Sequence, residues 1–105
     1  MAWLALAAAG LLEVVWAFAM KRSDGFTRLA PTVVTVVAMA GSVGLLSWAM
    51  RALPLGTAYA VWTGIGAVGA FVIGIVALGE PVSAARVGGA AMILGGLVLL
   101  KASAP

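Results

Sequence analysis

The chain has 105 residues, of which 65% are hydrophobic and only 9% are charged. Its mean hydropathy of +1.22 excludes an ordinary soluble domain, in which about a quarter of the residues are charged. It also excludes a disordered chain, which has low hydrophobicity. Cysteine and histidine are absent from the sequence, which excludes disulfides, thiolate metal sites and imidazole chemistry. The net charge of +3 lies at the ends of apolar segments, so we interpret it as a membrane-topology signal and not as a nucleic-acid-binding patch.

Charged residues and turn signals divide the chain into four apolar segments, and about 20 apolar residues suffice for one bilayer span. The first segment has no preceding basic residues and contains an acidic residue, so we expect a retained helix and not a cleaved signal peptide. Thr57 and Ser83 are expected to cap the third and fourth helices, and Gly25 is expected to form the first turn. The sequence therefore predicts an all-α integral membrane protein with a single transmembrane domain over residues 1–105, whose four helices cover about residues 2–20, 30–50, 57–78 and 83–100.

The short connections make the helices alternate in direction, so the first and third loops lie on one side of the membrane. Basic residues are only slightly biased between the two sides: Lys21, Arg22, Arg28 and Arg86 lie on that side, and Arg51 and Lys101 on the other. Orientation is therefore weakly specified, and the charge count alone leaves open one orientation or both. Insertion in both orientations would allow an antiparallel, dual-topology homodimer of the chain with its inverted twin.

Glu13 is the only charged side chain between Met1 and Met20. A charged side chain at the centre of a membrane helix costs about 2.5–3.5 kcal/mol on insertion scales, and by default it indicates a functional site. Glu13 is roughly 10 Å from the nearer helix end at 1.5 Å per residue, which is too deep for its short side chain to reach water. We therefore predict that the Glu13 carboxylate binds either a proton or a cation.

Two residues lie one helical turn from Glu13 on the same face. Gly10 is expected to leave space beside the carboxylate. The indole face of Trp16 suits a cation, although Trp16 could instead belong to the interfacial aromatic belt, to which we assign Trp3 and Trp48.

Tyr59 and Trp62 form an i, i+3 pair on helix 3 that belongs either to the belt and core or to the site. In an antiparallel dimer their depth approaches that of Glu13 in the inverted twin, and the Tyr59 hydroxyl could donate to that carboxylate. Ser42, near the middle of helix 2, either bonds its own backbone or donates to Glu13. Glu80, in the loop beside Pro81, is expected to be a solvated charge.

Glycines concentrate in the third and fourth segments, where small residues let helix backbones approach closely in lipid. Gly89 and Gly96 are seven residues apart and share a helix face, so they serve ordinary packing or the dimer contact. Gly64 and Gly66 serve packing or a hinge, because each glycine weakens a helix by about 1 kcal/mol relative to alanine. With Gly69 they formally match a dinucleotide fingerprint, which we reject because no strand precedes it. No cofactor is predicted.

Three stretches carry a family resemblance: LLEVVWA (11–17), GFTRL (25–29) and, most specifically, LPLGTAYAVWTGIGA (53–67). With them the chain resembles the small multidrug resistance family of bacterial inner-membrane transporters over all four predicted helices. Trp16, Ser42 and the TGIGA stretch make it more similar to the guanidinium-exporter subtype than to the subtype for polyaromatic cations.

The resemblance implies an antiparallel, dual-topology homodimer in which paired Glu13 carboxylates bind either substrate or protons. It also implies roles for residues at matching positions: Trp16, Ser42, Tyr59 and Trp62 orient the acids or line the site, helix 3 bends near Gly64 and Gly66, and helix 4 with Gly89 and Gly96 forms the dimer contact.

We therefore expect a transporter and not an enzyme. The preferred hypothesis is a proton-coupled antiporter that exports guanidinium and small guanidinyl cations across the bacterial inner membrane by alternating access. One alternative is a broad exporter of quaternary ammonium and other lipophilic cations, which would have a looser site than a Ser42 hydrogen-bond network makes. Another is a non-transporting helper subunit of a lipid flippase complex, which would not need Glu13.

Overall fold

The computed structural model describes residues 1–103, which form four α-helices joined by short turns. The helices are α1 (Ala2–Arg22), α2 (Leu29–Ala49), α3 (Leu55–Leu78) and α4 (Ala84–Ala102). All four are long and apolar enough to cross a membrane. Even α4, with 19 residues, extends about 28 Å at 1.5 Å per residue, close to the hydrocarbon thickness of about 30 Å. The predicted four-helix, all-α membrane architecture is confirmed, and the helix ends differ from the predicted ones by at most two residues.

The turn between α1 and α2 is held by Ser23, which is fully buried. Its hydroxyl donates to the Met20 carbonyl at 2.6 Å and accepts from the Phe26 N–H at 3.0 Å. Gly25 adopts a positive φ of 71°, as expected for its predicted turn position. Asp24 and Phe26 on either side of it also have positive φ, of 51° and 66°.

The N-termini of α3 and α4 test the two predicted helix caps. The Thr57 cap is wrong, because α3 begins two residues earlier with Pro54 as its N-cap, and the Pro54 carbonyl accepts from the Ala58 N–H at 3.0 Å. The proline ring fixes φ near −65°, and Pro54 has φ −61° and ψ 150°, so the chain enters α3 from an extended residue whose side chain has no hydrogen-bond acceptor. The Ser83 cap is confirmed, since its hydroxyl accepts from the Arg86 N–H at 3.1 Å.

Helix α1 is the centre of the packing, since it lies against both α2 and α3. Within residues 1–103, α4 packs mainly against α3 and contains no buried residue, although the Lys101 ammonium lies 5.0 Å from the centroid of the Trp3 ring of α1. The core lies where α1, α2 and the first half of α3 meet, and consists of Ala5, Leu6, Ala9, Leu46, Ala49, Ala58, Val61 and Trp62. The described chain is therefore a slab of 43 × 34 × 16 Å, little thicker than one helix with its side chains, about 10–12 Å.

Candidate functional site

The site is built on the close approach of α1 and α3. A Cβ atom added at Gly66 would collide with the Glu13 carboxylate, and one added at Gly69 would collide with Val14. At Gly10 an added Cβ would lie 2.7 Å from the Cβ of Ile65. Gly10 was expected to leave space beside the carboxylate, but Ile65 fills that space.

Glu13 itself is half-buried against the backbone of α3 at Gly66. Within residues 1–103, its Oε1 atom is buried and has no hydrogen-bond partner. Burying a polar atom without a hydrogen bond is costly, and burying a charge without a counter-charge costs more. Native structures contain few such atoms, and they point to a redox, catalytic or ligand-binding role. This carboxylate is therefore the best-supported ligand-binding group of the chain.

An aromatic cluster lies about one turn from Glu13 and joins α1 to α3. The ring centroids of Trp16 and Trp62 are 6.0 Å apart at an interplanar angle of 72°, an edge-to-face pair. Those of Tyr59 and Trp62 are 5.4 Å apart at 54°. Trp62 is 8% exposed and Tyr59 53% exposed, so the cluster runs from the core to the surface. The structure thus places Trp62 beside Trp16 of its own chain, whereas depth alone had matched it to the inverted twin.

Ser42 connects this cluster to the Glu13 helix. It is fully buried; its hydroxyl donates to the Ala9 carbonyl at 2.6 Å and accepts from the Trp62 indole N–H at 2.9 Å. Ala9 is one turn before Glu13, and its carbonyl is the helical acceptor for the Glu13 N–H. Ser42 thus bonds neither its own helix nor the carboxylate, and it instead fixes the indole of α3 to the backbone of α1. Its role in lining the site or orienting the acids stays a prediction.

The remaining predicted glycines divide into two groups. Gly64 is buried, and an added Cβ would lie 3.0 Å from Leu97 of α4, so Gly64 and Gly66 let α3 approach two different helices. Helix α3 is continuous through both residues, and their hinge role stays a prediction. Among residues 1–103, no atom lies within 4 Å of a Cβ added at Gly89 or Gly96, and their dimer contact also stays a prediction.

Glu80 was misjudged from the sequence. It is half-buried, and its carboxylate lies against Gly74, where an added Cβ would collide with it. Gly79, which follows an apolar helix, is the sequence feature that could have predicted the position of Glu80. A left-handed glycine at a helix end turns the next residue back onto the helix. Gly79 has φ 67°.

The geometry is that of a membrane protein with a single partnerless carboxylate in its first helix. The sequence model described as Small Multidrug Resistance protein matches residues 1–93. The chain belongs to the small multidrug resistance family. This confirms the family predicted from the three sequence stretches.

Among members of this family with curated names, several are highly similar. The guanidinium exporter of Yersinia pestis is 59% identical over 101 residues, which are 96% of this chain and 97% of that protein. The guanidinium exporter of Citrobacter freundii is 57% identical over 103 residues, 98% of both chains. That of Salmonella typhimurium is 56% identical over 104 residues, 99% of both. The similarity therefore extends over all four helices.

The contact of Glu13 with Gly66 gives the first prediction. Gly66→Ala should displace the carboxylate and separate α1 from α3, which destabilises the protein by about 1–3 kcal/mol, the usual range for overpacking. Thermal unfolding in detergent measures this loss. Gly44→Ala is the matched control, because no atom of the part of the chain that the structure describes lies within 4 Å of a Cβ added there. Equal melting temperatures for the two variants would contradict the close approach.

The Ser42 bridge gives the second prediction. Ser42→Ala leaves the Trp62 indole N–H buried and unpaired, at a cost of about 1–3 kcal/mol. We expect a lower melting temperature and a shift of the Trp62 indole N–H resonance. Ser47→Ala, at an exposed position on the same helix, should change neither. An unmoved indole resonance in Ser42→Ala would show that the bridge does not form in the membrane.

Proposed function

We propose that this chain is a proton-coupled antiporter that exports guanidinium and small guanidinyl cations across the bacterial inner membrane. The observation that carries the proposal is the Glu13 carboxylate, which is set into a membrane helix with its Oε1 buried and, within residues 1–103, without a hydrogen-bond partner. A helper subunit that only packs against other proteins would have no use for so costly a group.

Guanidinium complements this carboxylate better than other small cations do. It is planar and presents parallel N–H donors that engage both carboxylate oxygens at once. Its flat faces also stack on aromatic rings, and Trp16 and Trp62 lie about one turn from the acid. Ser42 holds the Trp62 ring by a hydrogen bond, which favours a site of fixed shape. A fixed shape suits a small planar ion and disfavours bulky lipophilic cations. The names of the curated relatives, at 56–59% identity, support the same substrate.

One chain supplies only half of the proposed site. The molecule is 16 Å in its thinnest dimension. Among residues 1–103, no side chain covers the face of α4 that carries Gly89 and Gly96. We propose that an inverted twin packs on α4, and that the two chains together bring two Glu13 carboxylates to one cavity. Two facing carboxylates repel each other, and a shared cation or bound protons relieve that repulsion.

Coupling then follows from competition for one site. Guanidinium and protons neutralise the same carboxylates, so the dimer carries one or the other. Occupancy can drive the exchange of inward- and outward-facing states only if the two states bind the occupant with different affinity. We propose that bending of α3 near Gly64 and Gly66 makes this difference, because Gly66 is the backbone against which Glu13 lies. An inward proton gradient then drives export.

Replacement of the carboxylate is the decisive test. Glu13→Gln should reduce guanidinium transport in proteoliposomes to the level of protein-free liposomes, because the amide cannot exchange a proton for a cation. In the unaltered protein the apparent Kd for guanidinium should rise as the pH falls, by up to about tenfold per pH unit for each proton displaced.

Asp24→Asn is the control for this test, since Asp24 is an exposed carboxylate of the first loop. It should leave both transport and pH dependence unchanged. Undiminished transport by Glu13→Gln would refute the proposal. Strong inhibition by tetraphenylphosphonium, at concentrations where guanidinium competes weakly, would instead favour the broad exporter.

The inverted dimer has its own test. The chain contains no cysteine, so a single introduced cysteine is the only site for a thiol reagent. Ala52→Cys and Thr27→Cys place it in exposed turns at opposite ends of the helices. With a membrane-impermeant maleimide, each variant should be labelled in comparable amounts from both sides of the membrane. Labelling of each variant from one side alone would rule out dual topology.

A further inference from the structure

Glu80 is a second half-buried carboxylate, and the fold determines its position. The left-handed Gly79 ends α3, and the Glu80 N–H donates to the Gly74 carbonyl at 3.0 Å. The side chain is thereby folded back onto the last turns of α3, with its carboxylate against Gly74. There it lines a cavity of about 190 Å³ between the ends of α1 and α3, and Lys21 of α1 lines the same cavity.

This cavity is aligned with the Glu13 site. Gly66, Ala70 and Gly74 follow one another at i, i+4 and i+8 along α3, so they form one slanted row of small residues. The Glu13 carboxylate lies against the first of them and the Glu80 carboxylate against the last. Their separation along the helix axis is about 12 Å at 1.5 Å per residue. Ala70 lines the cavity, as does Val14, the residue after Glu13.

Charge also favours a cation in this cavity. Glu80 is half-buried, and a carboxylate that has lost part of its hydration gains from a nearby cation. Lys21 is the cation that the chain itself offers, but its side chain is exposed and its ammonium acts as a mobile point charge. Guanidinium presents two donors to the two carboxylate oxygens and is more weakly hydrated. It can therefore compete with Lys21 for the Glu80 carboxylate.

We propose that the Glu80 carboxylate is a second binding station for the guanidinium-type cation, in the cavity between the ends of α1 and α3 and on the same row of small residues as the Glu13 site, with Lys21 as the cation that competes with the substrate there. This inference rests on the proposed function. The station raises the local cation concentration beside the deeper site. It therefore lowers KM, by helping the protein to bind dilute substrate, and leaves kcat nearly unchanged. In an inverted dimer each membrane face has one such station.

The transport kinetics of three variants test the station. Glu80→Gln should raise KM for guanidinium by about two- to fivefold, the size of a partly exposed ion pair, with kcat nearly unchanged. Lys21→Gln should lower KM, because it removes the competing cation. Gly74→Ala should raise KM as Glu80→Gln does while keeping the charge, because an added Cβ would lie 3.0 Å from the Glu80 carboxylate carbon. Asp24→Asn removes a carboxylate from the exposed first loop and should leave KM unchanged.

A purely structural ion pair between Lys21 and Glu80 would give a different result. Both residues would then stabilise the same closed arrangement, so Glu80→Gln and Lys21→Gln would shift KM in the same direction. That result would overturn the station, as would equal KM values for Glu80→Gln and Asp24→Asn. Melting temperatures of the variants show whether a change in KM comes from loss of folding, and Glu80→Gln retains the backbone bond to Gly74.

Equilibrium binding separates this inference from the proposed function. Glu13→Gln should retain a weak guanidinium site, detectable by titration at high cation concentration, and the double variant with Glu80→Gln should lose it. If the single and double variants bind guanidinium equally, the station is wrong while the role of Glu13 stands. If Glu13→Gln transports guanidinium undiminished, the proposed function fails, and the station fails with it.

Discussion

The close approach of α1 and α3 is the contact on which the rest of the structure depends. Glu13 and Val14 lie against backbone at Gly66 and Gly69, and Ile65 lies against Gly10. Such contacts require glycine on the receiving helix, because any side chain there would force the backbones apart. In lipid the helices gain little from the hydrophobic effect, so close van der Waals packing must hold them together. The small residues of α3 thus provide stability and a place for the carboxylate in the same interface.

Ser42 ties α2 to this contact between α1 and α3. Its hydroxyl bonds α1 and its oxygen accepts from α3, so it joins all three helices at one buried point. The aromatic ring beside the acid is therefore oriented by a residue that never touches the acid. A hydrogen bond buried in low-dielectric surroundings is also expensive to break. The bridge accordingly restrains Trp62, while Tyr59, 53% exposed, is left to reorient.

The helices themselves could be predicted from the sequence because span length and hydropathy are local properties of the chain. Four apolar stretches bounded by charges leave little choice of architecture, and Glu13 is conspicuous in such a stretch without any structure. Two of the residues that were misplaced depend on contacts between helices, since Gly10 faces Ile65 and Ser42 faces Ala9. Periodicity shows which residues share a face of one helix, but it does not show the register in which two faces meet.

The cap of α3 failed for a different reason. Thr57 has the residue type of a cap, but Pro54, three residues earlier, has the extended backbone of an N-cap residue, and its carbonyl accepts the first helical hydrogen bond from the Ala58 N–H. Two local rules competed there, and the one with the fixed φ prevailed. Glu80 follows the same logic at the opposite end of the helix, since the conformation of Gly79, and not the polarity of glutamate, determines where its side chain lies.

The partnerless oxygen of Glu13 links stability to occupancy. A ligand that binds only the folded protein stabilises it in proportion to the logarithm of its concentration over Kd. Because the chain itself provides no hydrogen bond to Oε1 within residues 1–103, the interaction that offsets its burial comes from outside these residues, such as an ordered water, a cation, a proton or a second subunit. The carboxylate lies against glycine backbone, which offers it no competing side-chain donor. A site of this kind selects its occupant by how well it neutralises and hydrogen-bonds an anion, and it exchanges one occupant for another without first breaking a bond within the protein.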